Sequence, residues 1–245
     1  LCCRESLTGH PELEAEFAAW DWAWVLQRCR AFGWGLPETT ALFLGSRGAV
    51  TPAHFDEQHH FLNQVRGRKL VVLFPPEDYT RLYPFPVTHP CDRSSMVDVA
   101  AADLDQFPRF AGTTGHKAEL RAGDVLYIPI GWWHYDRTLT HLAGSVSFWA
   151  REMSVPAPAA VLGPEERARA RRHLEKLLAE DVGPPNLSAE VLRLLGLLER
   201  SETDDPRLAV LRRLLGALQV PEEEQLEFLN ETFSGRFGFD LTPFV

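Results

Sequence analysis

Val50-Thr51-Pro52-Ala53-His54-Phe55-Asp56-Glu57-Gln58-His59-His60-Phe61-Leu62-Asn63-Gln64 is the stretch that decides the fold. Residues two apart on an extended chain point to one face, so His54 and Asp56 are placed to grip one ion while Phe55 points away. A third ligand is available far downstream in Gly131-Trp132-Trp133-His134. Two imidazoles and one carboxylate form the facial triad that holds non-haem Fe(II) with positions left open. A ligand arriving from a distant strand end is what a small β-barrel closing around a metal delivers. His-x-Asp alone is a common tripeptide, so its meaning depends on the segments around it.

Those segments read as antiparallel β-structure from about residue 41 to 149. Ala41-Leu44, His54-Gln64, Lys69-Phe74, Asp124-Pro129 and Leu142-Trp149 run apolar or alternate in short blocks broken by Gly and Pro. Arg66-Gly67 reads as a hairpin turn returning Lys69 beside the metal strand. Pro75-Pro76 ends a strand, Glu77-Leu82 suits a single helical turn, and the long Pro-, Asp- and Ser-rich loop Pro84-Arg109 has the size of a functional loop. In the N-terminal part, Trp20, Trp22, Trp24 and Trp34 are expected in a core rather than on a stacking platform.

After Trp149 the period becomes helical. Pro164 opens Glu165-Glu180, Ser188 is expected to cap Ala189-Glu199, Pro206 opens Arg207-Leu218, and Pro221 opens Glu222-Phe233. Val191, Leu192, Leu194, Leu195, Leu197 and Leu198 surround most of the second helix, which suggests a homodimer through these helices, with packing onto the chain's own barrel as the alternative. The organisation expected is a barrel domain over residues 1–152 and a helical region over residues 153–245.

Composition bounds the partners. The chain has 245 residues, 45% of them hydrophobic, enough to bury a core. A net charge of −9 argues against nucleic acid as substrate. Cys2, Cys3, Cys29 and Cys91 form neither a C-x-x-C pair nor a dense framework, so reduced thiols are expected. No run reaches a membrane-spanning length and no signal-peptide layout opens the chain, so a cytoplasmic or nuclear setting without membrane contact is expected. The first residue is Leu1 and not Met, as in a trimmed or processed chain.

Several longer motifs occur in order: Val50 to Gln58, Leu73-Phe74-Pro75-Pro76, Leu82-Tyr83-Pro84, His89-Pro90-Cys91-Asp92-Arg93, Gly123 to Pro129 and Trp132-Trp133-His134. Together they resemble the JmjC-type 2-oxoglutarate oxygenases, and among these the asparaginyl hydroxylases of the factor-inhibiting-HIF kind. Leu229-Asn230 and Gly235-Arg236-Phe237 carry a weaker echo of the C-terminal part.

The resemblance implies a mainly β fold, a double-stranded β-helix of jelly-roll or cupin-like form followed by helices. It implies Fe(II) on His54, Asp56 and His134, with O2 and the cosubstrate 2-oxoglutarate. Thr51 and Lys69 fall where that family holds the cosubstrate's far carboxylate, with His60 and Ser147 nearby. The chemistry agrees, since a buried carboxylate needs a fixed cation and a hydroxyl. Asp56, Glu57, Gln58, Arg93, Ser94 and Trp149 fall where peptide substrate is contacted. The implied reaction is hydroxylation of an Asn β-carbon, or a related side chain, in HIF-like or ankyrin-repeat peptides.

Five departures stand against a full match. His60 and Ser147 replace asparagines, Ser94 replaces a glutamine that reads the target amide, the segment from His134 to Phe148 is two residues shorter, and a cosubstrate tyrosine would fall just before Leu1. Three alternatives follow: a catalytically weakened homologue that binds peptides, another JmjC chemistry such as lysyl demethylation or RNA-base hydroxylation, which the acidic charge disfavours, and a cupin using Zn or Mn, which would leave Thr51 and Lys69 without a role.

Overall fold

The computed structural model describes residues 2–7, 11–153, 162–200, 202 and 204–238. Contacts divide the chain into two units, neither continuous in sequence: Leu1–Pro75 with Thr114–Ala157, and Pro76–Thr113 with Pro158–Val245. The join expected at residues 152 and 153 borders residues 154–161, which lie outside the described set.

Among the described residues the first unit holds nine strands: β1 (Cys2–Ser6), β2 (Thr39–Ser46), β3 (Val50–Phe55), β4 (His59–Arg66), β5 (Arg68–Phe74), β6 (His116–Arg121), β7 (Val125–Ile128), β8 (Trp133–Thr138) and β9 (Leu142–Ala150). They form two sheets in the orders β1-β2-β9-β4-β7 and β3-β8-β5-β6, antiparallel throughout. This is the expected cupin-like double-stranded β-helix: from β2 to β5 and again from β6 to β9 each successive strand crosses to the other sheet, and only β1 with β2 and β5 with β6 pair as sequence neighbours among the described strands.

That crossing corrects two sequence expectations. His54–Gln64 is not one strand; the chain leaves β3 at Phe55, turns through Asp56, and enters the opposite sheet at His59. Arg66-Gly67 is likewise a corner and not a hairpin, because β4 and β5 lie in different sheets. Lys69 therefore sits beside β8, opposite Thr138, and not beside β3. Gly67 has φ +70, and a Cβ there would lie 2.2 Å from the Leu142 carbonyl, so only glycine turns this corner without strain.

Register shows which face each strand presents. On β9, Ser145, Ser147 and Trp149 pair side by side with Gln64, Leu62 and His60 of β4 and with Phe43, Ala41 and Thr39 of β2. The alternate residues Val146, Phe148 and Ala150 join Phe61, Leu7, Val25, Cys29 and Trp34 in an apolar cluster on the other face. Two helices help cover that face, α1 (Pro11–Ala18) and α2 (Trp22–Ala31). Trp20, Trp22 and Trp24 pack against the cluster, as the core reading expects, with Trp22 5.4 Å from Phe148 in an edge-to-face pair. Asp21 caps α2 by accepting from the Trp24 N–H.

The second unit contains α3 (Pro164–Val182), α4 (Leu187–Glu199), α5 (Pro206–Ala217) and α6 (Glu222–Phe233). One apolar cluster links all four through Leu174, Leu178, Val191, Leu194, Leu211 and Phe228. Ser188 lies inside α4 and does not cap it, whereas Asp205 caps α5 by accepting from the Arg207 N–H. Arg236 is fully buried, bonded to the carbonyls of Pro84 and Thr232 and paired with Glu175 at 2.8 Å. Segment 84–109, expected as a functional loop, belongs to this unit and packs Tyr83, Phe85, Met96, Val97 and Phe107 into a small core. Among the described residues no helix is long and apolar enough to cross a membrane.

Candidate metal centre

His54 is the second-last residue of β3 and His134 the second residue of β8, directly opposite one another in register. Their rings lie 4.1 Å apart, centroid to centroid. The ladder shifts between Thr51 and His54, a bulge that contains Pro52. The shift lets Thr51 pair with Asp136 while His54 still pairs with His134. Asp56 reaches the same point from the turn after β3. That turn is pinned because the Gly131 N–H donates to the Asp56 carbonyl at 3.0 Å, with Gly131 at φ +75. The Gly that precedes Trp132-Trp133-His134 thus ties the two halves of the site together.

The ligand atoms of His54, Asp56 and His134 all lie within 4.8 Å of one another. Each imidazole is oriented through its other nitrogen. Nδ1 of His54 bonds the Pro52 carbonyl at 2.9 Å, and Nδ1 of His134 bonds the Trp132 carbonyl at 3.3 Å. A carbonyl only accepts, so both Nδ1 atoms carry a proton, and in the neutral imidazole that tautomer leaves Nε2 as the ligand atom. Trp149 donates from its indole to Oδ2 of Asp56 at 2.7 Å.

Protonation states suit a cation. Burial, with the neighbouring His54 next, pushes His134 down to about 4, so it is a neutral ligand near pH 7. Burial alone would raise Asp56, but His134, His54 and His60 around it and the Trp149 hydrogen bond hold its carboxyl below the ordinary value. Two bare imidazole nitrogens and one ionised carboxylate fit a divalent ion of the non-haem iron kind.

Read as a single strand, His54–Gln64 would put His60 on the face of His54 and Asp56. His60 instead projects from β4 in the facing sheet, stacked on Trp149 at 4.5 Å, with Nδ1 3.6 Å from Asp56 Oδ2. Burial pushes it down to about 3, and neither of its ring nitrogens has a hydrogen-bond partner in the protein. The hydroxyls of Ser147 and Ser145, on the same sheet face, are also buried without a partner. Orphaned polar atoms on a barrel's inner face are the kind that a polar ligand satisfies.

Lys69 is 3% exposed and pairs with Asp136 at 3.2 Å. Thr51 stands opposite Asp136 across the β3–β8 ladder, so Thr51, Asp136 and Lys69 form one group. Gln58 donates to Glu38 at 2.7 Å, and Glu57 is exposed. Arg93 and Ser94 belong to the second unit, where Arg93 has φ 72 and Ser94 exchanges backbone bonds with Cys91 and Phe85. Sequence reasoning missed Asp136, although it lies two residues after His134 and so faces the same way. It also missed the bond from Trp149 to Asp56, which joins residues 93 apart.

Comparison with known proteins adds the kinship of the chain. Residues 9–154 match the family described as Cupin-like domain. The chain is 41% identical over 113 residues to lysine-specific demethylase 8 of Xenopus tropicalis, covering 45% of this chain and 25% of that protein. It is 41% identical over 98 residues to JmjC domain-containing protein D of Dictyostelium discoideum, covering 40% and 22%. With HSPB1-associated protein 1 of Rattus norvegicus it shares 39% over 116 residues, covering 46% and 24%. The matched segment thus spans about a quarter of these relatives. A solved cupin superfamily protein of Desulfitobacterium hafniense aligns over 62% of this chain and 78% of its own, at 9% identity and a TM-score of 0.32.

Proposed function

The chain belongs to the cupin-like domain family, and on that premise we propose that it is a JmjC-type, Fe(II)- and 2-oxoglutarate-dependent oxygenase that hydroxylates a protein side chain. The observation that carries this reading is the convergence of His54, Asp56 and His134, each held from behind by a second bond. The barrel region of the resemblance is supported at the level of the JmjC family; the asparaginyl-hydroxylase subgroup remains part of the proposal.

His54, Asp56 and His134 would hold the metal, and Lys69 with Thr51, beside His60 and Ser147, would receive 2-oxoglutarate. Bound together with O2, iron and 2-oxoglutarate supply the oxidant: one oxygen atom enters succinate as CO2 leaves, and the other enters a substrate C–H bond. The protein's own work is positional. The Pro52 and Trp132 carbonyls orient both rings through Nδ1 and leave Nε2 as the ligand atom of the neutral tautomer. Trp149 fixes one oxygen of Asp56, and its ring together with His60 shields that carboxylate from water. Phe55 and Trp133, packed edge to face at 4.8 Å on the other side of the sheet, keep β3 and β8 in register.

The substrate in this reading is a peptide segment of another protein, met by Glu57, Gln58 and Trp149 in the first unit; Arg93 and Ser94 of the second unit are the further contacts that the resemblance implies. An Asn β-carbon is the target the motifs favour, with selectivity loosened by Ser94, which is too short to read an amide in two places. The name of the Xenopus relative favours a methylated lysine instead. Both begin with oxygen insertion into a C–H bond, and the second then releases formaldehyde. A homodimer through α3 to α6 and a cytoplasmic or nuclear setting complete the proposal. The test is succinate release from 2-oxoglutarate with a peptide panel, read by intact mass. Gain of one oxygen supports hydroxylation, loss of a methyl group redirects the target, and peptide binding without succinate makes the chain a binding module.

A further inference from the structure

Lys69, buried in this barrel, is not a free cation. Lys69 is 3% exposed, and its ammonium lies 3.2 Å from a carboxylate oxygen of Asp136, itself 8% exposed. Asp136 shares the β8 face of His134 and stands opposite Thr51. Val71 lies on its other side, Lys69 is diagonal to it across the β5–β8 ladder, and the Phe43 ring lies 5.7 Å from the ammonium. The pocket end assigned to the far carboxylate of the cosubstrate therefore already contains an acid.

We infer that Asp136 is a specificity-determining residue, an internal counter-ion that occupies Lys69 and lowers the site's preference for a 2-oxo diacid over a 2-oxo acid with an uncharged tail. The inference rests on the reading of this barrel as a 2-oxoglutarate site. A lone buried ammonium presents one positive charge to an incoming carboxylate, and the pair is strongly favoured because the cation otherwise has no partner. With Asp136 in place that need is already met. A second carboxylate on the same ammonium sets two like charges side by side in a dry site, which opposes its entry. A tail ending in a methyl group meets no such repulsion and leaves the Lys69–Asp136 pair intact.

The experiment uses the full chain loaded with Mn(II), without O2, titrated by calorimetry with 2-oxoglutarate and with 2-oxopentanoate, which has the same chain length and a methyl end. In the unaltered protein the two acids should bind within about tenfold of each other, because the pair is neutral. In Asp136→Asn the amide keeps the shape and removes the charge, so 2-oxoglutarate should tighten by at least about tenfold while 2-oxopentanoate changes little. A preference of about a hundredfold or more for the diacid in the unaltered protein would overturn the inference, as would unchanged or weaker diacid binding in Asp136→Asn. The first arm needs no substitution and stands even if Asp136→Asn does not fold. Failure of the site reading has a different signature: Mn(II) binds and neither acid does, in either protein.

Discussion

The indole N–H of Trp149 and the Oδ2 atom of Asp56 are 2.7 Å apart, joining the last barrel strand to the only acid among the three candidate ligands. A hydrogen bond behind a metal ligand fixes its orientation and tunes its basicity, and removing one lowers metal affinity by about 10- to 100-fold. Trp149→Phe keeps the ring and deletes the donor. It should weaken Zn(II) or Mn(II) binding by that factor in calorimetry with little change in melting temperature. Unchanged affinity would assign Trp149 to packing alone.

His60 and His134 make the metal-free barrel acid-sensitive. Each is buried, with pKa pushed from the ordinary 6.5 to about 3 and about 4 respectively. Below about pH 6.5 the unfolded chain takes up a proton at each position and the folded protein does not, so stability falls as pH falls. The slope is about 1.4 kcal/mol per pH unit for each histidine until the folded values are reached. Thermal unfolding of metal-free protein between about pH 6 and about pH 5 should show this, and His60→Asn should remove about half of these two residues' contribution. An unchanged slope in His60→Asn would mean that the imidazole is already charged in the folded protein.

How much of this was legible beforehand follows from which signals are local. The triad could be read from His54-Phe55-Asp56 and His134 because ligand chemistry is written in residue type. The fold could be read because alternation along Leu142–Ala150 and Lys69–Phe74 is a strand signal whatever the sheet order. Sheet membership could not. His54–Gln64 reads as one extended run, and only the closure of two sheets decides that the chain crosses between them at Glu57-Gln58. The same crossing moved His60 to the facing sheet and Lys69 beside β8. The Asp136–Lys69 pair depends on register between two strands, which no single segment encodes. In the helical region, proline and the 3.6 period located α3, α5 and α6 within about two residues. The Ser188 cap failed because the helix starts at Leu187, after Pro184–Asn186 has already begun to coil.

Glu175 and Arg236 test the second unit. Both side chains are fully buried, and Glu175 also accepts from the Val87 N–H at 2.7 Å. Glu175→Ala strands a guanidinium away from water, a change that costs about 3–5 kcal/mol. Urea unfolding should show a lower midpoint. A loss below about 1 kcal/mol would mean that water reaches Arg236 after the substitution.

The proposed homodimer has a place to be sought. Leu177, Leu178, Val210, Leu211 and Leu214 line an apolar groove of about 580 Å³ between α3 and α5, edged by Asp181, Asp205 and Arg207. Light scattering at micromolar concentration should give twice the chain mass, and Val210→Asp, at a residue 45% exposed, should return it to one. A monomer in the unaltered protein would reject the dimer.

The most direct measurement is anaerobic reconstitution with Fe(II) followed by 2-oxoglutarate, with parallel samples of His134→Ala and Asp56→Ala. The account predicts one equivalent of metal per chain and a visible metal-to-ligand absorption band on adding 2-oxoglutarate, both lost in the two variants. Metal bound equally well by the variants, or no band in the unaltered protein despite bound iron, would contradict it.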